Sequence, residues 1–151
     1  MSNSIKMNYP LRLVLALTGC AILFLGLNIA LGGITTLGWQ GGGKSFVTVA
    51  DPVEFAVKDS HIRFIGGVWS SVGILMLIGS VAFQAMRQTL IALTAMVFVG
   101  GLARFSAFDP DVLMSAAIAP SFVLELVLFP LLGLWILKAE KSINGVALPS
   151  T

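Results

Sequence analysis

Hydrophobic residues run through the chain in long blocks, and the charges sit in clumps between them. No residue from Leu13 to Gly43 is charged. The same holds from Phe64 to Met86 and from Gln88 to Ala103, while Val112 to Leu137 holds a single charge, Glu125. A bilayer core about 30 Å thick needs about 20 helical residues. The first, second and fourth blocks meet that length alone, and the third meets it if Arg104 reaches the interface. The pattern predicts an all-α protein, a transmembrane four-helix bundle with spans near Leu13–Gly33, Phe64–Gln84, Thr89–Phe105 and Ala117–Leu137. The third span is the shortest.

The longest connection, Ile34 to Arg63, is enough only for a small cap, so residues 1–151 read as a single integral-membrane domain. It opens with Gly38-Trp39-Gln40-Gly41-Gly42-Gly43, a flexible run whose tryptophan suits the headgroup layer. Asp51-Pro52-Val53-Glu54 then has the form of a helix start, with a capping aspartate, a proline at the first helical position and a glutamate at the third. A short amphipathic helix from Pro52 to about Lys58, with Glu54 and Lys58 four residues apart, is expected to feed the second span.

Composition agrees with the pattern: 57% of residues are hydrophobic and 11% charged, against roughly 25% charged in soluble domains. Mean hydropathy is +0.97. Disordered, nucleic-acid-binding and disulfide-scaffold classes are thereby excluded. Cys20, the one cysteine, lies inside the first span, where it is expected to be a small buried residue. Lys6 and Arg12 before an apolar run, with Ala30-Leu31-Gly32 after it, also have the form of a signal peptide. The uncharged run exceeds the usual apolar region of about 7 to 15 residues, which favours a retained span.

Lys6, Arg12, Arg87, Lys138 and Lys141 fall on one side of the membrane, against Lys44 and Lys58 on the other. With Arg63 and Arg104 counted as embedded, the positive-inside rule reads this bias as both termini cytoplasmic.

Polar groups are costly in spans, so Asn28, Asp59, His61, Arg63, Arg104 and Glu125 are the informative residues. In this topology all of them fall on the outer half. Glu125 lies about eight residues, roughly 12 Å, inward from the outer start of the fourth span. At that depth a carboxylate needs a cation or a proton. The sequence predicts an Arg104–Glu125 contact, with Arg63 nearby and Asp59, one helical turn before it, as a second partner. Two arginines against Glu125 leave a spare positive charge, which points to an anionic ligand such as a lipid phosphate or a carboxylate. The competing reading is a purely structural ion pair with snorkelling arginines.

Gly66-Gly67 and Gly100-Gly101 are expected at similar depth in antiparallel neighbours, packing backbones closely, with Ser70 and Ser71 extending the small-residue face. Pro130 is expected to kink the fourth span by freeing the carbonyl of Leu126. Pro120 suits a helix start. His61, the single histidine, is a poor metal or haem ligand and reads as a polar cap. Asp109-Pro110-Asp111 is a turn, short of a calcium loop. No catalytic triad, phosphate loop or nucleotide fingerprint occurs, and no cofactor or metal is implied.

With Asp59-Ser60-His61-Ile62-Arg63-Phe64-Ile65-Gly66-Gly67, Gly100-Gly101-Leu102-Ala103-Arg104-Phe105-Ser106, and Glu125 followed by Pro130, the chain resembles a bacterial four-span family catalogued as domain of unknown function 4345. The likeness covers roughly residues 11–137. It implies a small four-helix inner-membrane protein whose shared polar positions are these two arginine–glycine motifs and the fourth-span glutamate. It carries no activity with it.

Three function classes follow. The first is a non-catalytic module that binds a lipid or small anion, or packs through its glycine faces onto other membrane subunits or a second copy of itself. The second is a transporter, because four short spans with one membrane carboxylate resemble small multidrug exporters. Those place their glutamate in the first span, free to exchange protons, whereas Glu125 is in the fourth beside arginines. The third is an enzyme acting on a lipid or quinone, with His61 or Glu125 as acid or base. It lacks a nucleophile, a metal set and a redox cysteine pair. The first class is favoured, with membrane lipids as partners and no nucleic acid.

Overall fold

The computed structural model describes residues 9–35, 50–107 and 109–144, with side chains as far as residue 139. Lys6, the Gly38–Gly43 stretch with Trp39, Lys44 and the side chain of Lys141 lie outside the described residues. All regular structure in them is helical. α1 spans Tyr9–Gly32 and ends in a 3-10 turn, Gly33–Thr35. α2 spans Pro52–Val81 and α3 spans Phe83–Ala103, followed by a 3-10 turn at Arg104–Ala107. One-turn α4 (Pro110–Leu113) leads to α5 (Ala119–Val123), a π turn (Leu124–Leu128) and α6 (Phe129–Asn144), the last three forming one continuous rod.

Four helical segments are long and apolar enough to cross a membrane: Tyr9–Thr35, Pro52–Val81, Phe83–Ala107 and Ala119–Ala139. Large apolar side chains stand exposed along them, Leu17 at 63%, Phe64 at 72% and Leu131 at 58% among them. Such surfaces suit lipid and would aggregate in water. The chain is a multi-pass membrane protein.

The helix start at Asp51 forms as its residues dictate: the Asp51 carboxylate accepts the amides of Val53 at 2.8 Å and Glu54 at 3.2 Å. The expected Pro52–Lys58 helix runs without a break into the second span, so it is the first two turns of a 30-residue helix. Its Glu54–Lys58 pair, 2.6 Å apart, is over 60% exposed on both sides and adds little stability. Between the second and third spans the helix breaks at Ala82, earlier than the expected turn around Arg87. No glycine or proline marks that point. Arg87 therefore sits inside α3, half-buried.

The described residues divide into two compact units, residues 14–81 and residues 82–144 with the start of α1. In the first unit α1 and α2 are antiparallel and meet through glycine. A Cβ on Gly26 would lie 2.4 Å from the Ser70 amide nitrogen, and one on Gly73 would lie 2.5 Å from that of Leu23. Backbones this close are the usual substitute, in lipid, for the hydrophobic drive that packs helices in water. The Gly66 Cβ position is 2.3 Å from the Ala30 nitrogen, while Gly67 has nothing within 4 Å. Gly66 therefore packs on the first span, where the sequence had pointed to the third. Ser70 and Ser71 donate back to the Gly66 and Gly67 carbonyls, at 2.8 and 3.0 Å, which satisfies hydroxyls that lipid cannot. Cys20 is exposed, contrary to expectation. It lies one residue past the buried Gly19, about 100° around the helix and off the packed stripe.

In the second unit α3 runs antiparallel to the fourth span. Leu90, Leu93, Thr94, Val97 and Gly101 form its buried stripe, and Phe122, Glu125, Phe129, Leu132 and Ile136 form that of the fourth span. Gly101 lies against Glu125 and Leu126, and Gly133 lies against Thr94. Phe105 and Phe122 close one end edge to face, with centroids 5.2 Å apart.

Candidate functional site

The polar residues of the spans separate into two ion-paired clusters. In the first unit, α1 ends with Gly33 at a φ of +68°, the left-handed conformation that glycine adopts at helix ends. The carbonyls of that end need donors. Arg63 supplies them, donating through Nη1 to Leu31 and, at 3.4 Å, to Ala30. Its Nε donates to Asp59 Oδ2 at 2.6 Å, and Asp59 Oδ1 accepts the Ile34 amide at 2.8 Å. A cation at a helix C-terminus also meets the negative end of the helix dipole. Together these contacts clasp the end of α1 to α2.

The clasp depends on the missing Cβ of Gly33, which would lie 2.0 Å from Asp59 Oδ1 and 2.8 Å from Arg63 Nη2. Gly33→Ala is expected to lose about 1 to 2 kcal/mol from the left-handed backbone alone, and further stability from the displaced carboxylate. Thermal unfolding in detergent checks it; a variant that melts with the wild type would show that the clasp does not hold this end.

In the second unit, Arg104 forms the first residue of the 3-10 turn that ends the third span, and it meets Glu125 as a fork. Nε donates to Oε2 at 2.6 Å and Nη2 to Oε1 at 2.7 Å. The expected Arg104–Glu125 contact is thus present, in the bidentate form that suits a guanidinium and a carboxylate. The Glu125 side chain is 11% exposed and that of Arg104 35%. Glu125 is held by the π turn Leu124–Leu128, in which the Phe129 amide donates to Leu124 five residues back. Pro130 explains the wide turn. It lacks an N–H, and its ring would strike the Leu126 carbonyl in a regular α-helix. The expected kink therefore takes the form of a π turn, a feature often found at functional positions. Gly101 makes room, since a Cβ there would lie 2.9 Å from the Glu125 Cβ and 3.4 Å from Oε2.

This pairing corrects the charge count. Asp59, expected as a second partner, pairs with Arg63, and counting it gives each of these two arginines its own carboxylate with no positive charge left over. What Arg104 retains is a surplus of donors: Nη1 has no partner among the described residues.

His61 is exposed on α2, with no hydrogen bond or ion pair among the described residues. Asn28 is partly exposed on α1. Neither joins the Arg104–Glu125 fork. Gly100, like Gly67, faces open space. Gly33 and the π turn were not singled out by sequence reasoning. The glycine pair Gly32-Gly33 after an apolar run is the available signal for the first.

No curated protein and no solved structure matches the chain. A match to the family described as a domain of unknown function (DUF4345) covers residues 10–136, nearly all of the four spans and both arginine–carboxylate pairs, and the chain belongs to that family.

Proposed function

We propose that the protein is a non-catalytic module of a bacterial inner membrane, with both termini cytoplasmic, in which Arg104 holds an anionic oxygen of a lipid headgroup at the outer face. The observation that carries this reading is the fork itself. Glu125 occupies Nε and Nη2 of a guanidinium with five N–H donors, fixes its plane, and leaves the Nη1 edge on a side chain about a third exposed. A donor edge pre-set by a buried carboxylate loses little entropy on meeting a phosphate. Neutrality of the pair argues for lipid over a free anion, because a lipid is already concentrated in the membrane by its chains.

Native mass spectrometry of protein released from nanodiscs of phosphatidylcholine and phosphatidylglycerol tests the reading. Wild type is expected to retain phosphatidylglycerol and Arg104→Gln to retain about fivefold less, the effect of one basic residue beside an anionic headgroup. Equal retention by the two overturns it.

A second reading, packing against another membrane subunit or a second copy, is favoured by Gly67 and Gly100, whose absent side chains face open space. Transport is disfavoured by the fork, which ties up the carboxylate that a proton-coupled exporter would need free.

A further inference from the structure

The third span ends at Ala107 and the fourth begins at Ala119. Residues 109–118, between them, carry charge only at Asp109 and Asp111, and from Val112 to Ile118 the single polar side chain is Ser115. Leu113 is buried and holds the segment down, while Val112 and Met114 on either side of it stand 51% and 66% exposed. The lipid-facing surfaces of the two spans lead into and out of this segment along the chain, through exposed Phe105 on one side and exposed Val123 and Leu124 on the other. An apolar surface so continuous with two spans has lipid, rather than water, as its natural cover.

A segment leaves water only if its backbone polar groups find partners. Most do so within the segment. The Leu113 and Met114 amides donate to the Asp109 and Pro110 carbonyls at 3.1 and 2.9 Å, and the Ser115 carbonyl accepts the Ile118 and Ala119 amides at 3.0 and 2.8 Å. The Ser115 hydroxyl donates to the Val112 carbonyl at 2.7 Å, and Asp109 Oδ1 accepts the Val112 amide at 3.1 Å. Pro110 and Pro120 bring no N–H. The exposed Ala116 and Ala117 have no amide acceptor among the described residues, and they set the depth. Unmet amides exclude the hydrocarbon core. They suit the glycerol level at its edge, where ester carbonyls and water accept and where in-plane segments lie.

We infer that residues 110–119 lie in the plane of the membrane at the glycerol level of the leaflet on the Arg104 side, with Val112 and Met114 among its acyl chains and Asp109 and Asp111 toward water. So placed, the segment anchors the end of the helix pair that carries Arg104 and Glu125 and fixes its depth. None of the contacts above involves Arg104 or Glu125, so the inference holds or fails apart from lipid binding at the fork.

A nitrobenzoxadiazole fluorophore on Met114→Cys or on Asp111→Cys, each in the Cys20→Ser background, tests it in the full chain reconstituted into phosphatidylcholine vesicles. Both positions are exposed, so the label displaces no packed neighbour. At Met114→Cys the emission is expected to be blue-shifted, quenched by lipids with a nitroxide near the glycerol end of the acyl chain, and protected from iodide supplied on both sides. At Asp111→Cys iodide should quench it. Iodide quenching at Met114→Cys as strong as at Asp111→Cys overturns the inference and leaves a loop in water. Protection at Met114→Cys from both quenchers overturns it in favour of a contact with protein.

Discussion

Glu125→Ala is expected to lose about 3 kcal/mol of folding stability, measured by denaturant unfolding in mixed micelles. The loss comes from what remains. Without the carboxylate, the Arg104 guanidinium keeps its place at the mouth of a buried site and has neither charge nor acceptor opposite Nε and Nη2. Because its side chain is 35% exposed and ends a span, Arg104 can turn partly toward the interface, which sets the loss at the lower end of the range for broken buried pairs. The gap beside Gly101 adds a smaller packing term.

The double variant Arg104→Leu, Glu125→Ala separates an ion pair from two independent contributions. Removing both charges is expected to recover more than half of the single-variant loss, since an apolar pair in lipid leaves nothing unsatisfied. Losses that simply add would mean the fork contributes no coupling, and Glu125 would then be a packing residue. Glu125→Gln is expected to fall between wild type and Glu125→Ala, because its amide oxygen still accepts one guanidinium N–H.

The fork was legible in the sequence for a reason that does not apply to the rest of the site. A carboxylate deep in a span has few affordable states, and Arg104 is the cation that an antiparallel third helix carries to its depth. Arg63 was harder to place. Its acceptors are the backbone carbonyls of Ala30 and Leu31, which exist as unmet groups only once α1 has ended there, and no side-chain pattern announces them. The spare positive charge inferred from the sequence disappears once Asp59, expected there as a second partner, is counted against Arg63, its other oxygen being fixed by the Ile34 amide. Pro130 signalled a distortion without its form, because a kink and a π turn both answer a missing N–H. The exposure of Cys20 was illegible. Span one is apolar on all sides, so its hydrophobicity does not tell a lipid-facing position from a packed one. The break at Ala82 likewise falls on a residue that is at home in a helix.

Gly66→Val is expected to cost about 3 kcal/mol, whereas Gly67→Val, one residue along, should stay within about 0.5 kcal/mol of wild type. Their sequence context is shared, so helix propensity cancels between them to first order. The neighbours differ. A Cβ at 66 would lie 2.3 Å from the Ala30 nitrogen and 2.8 Å from its Cα, both backbone atoms of α1 that no rotamer change can move. Relief requires α1 and α2 to separate, which also loosens the approach of Gly26 to Ser70 one pitch away. At 67 the added side chain meets open space and simply joins the apolar surface beside Phe64 and Val68. Equal losses at the two positions would refute the assignment of Gly66 to the contact with the first span. A Gly67→Val variant that is stable in micelles but no longer co-purifies with another membrane subunit would give the open glycine a partner outside this chain, since nothing among the described residues lies within 4 Å of its Cβ position.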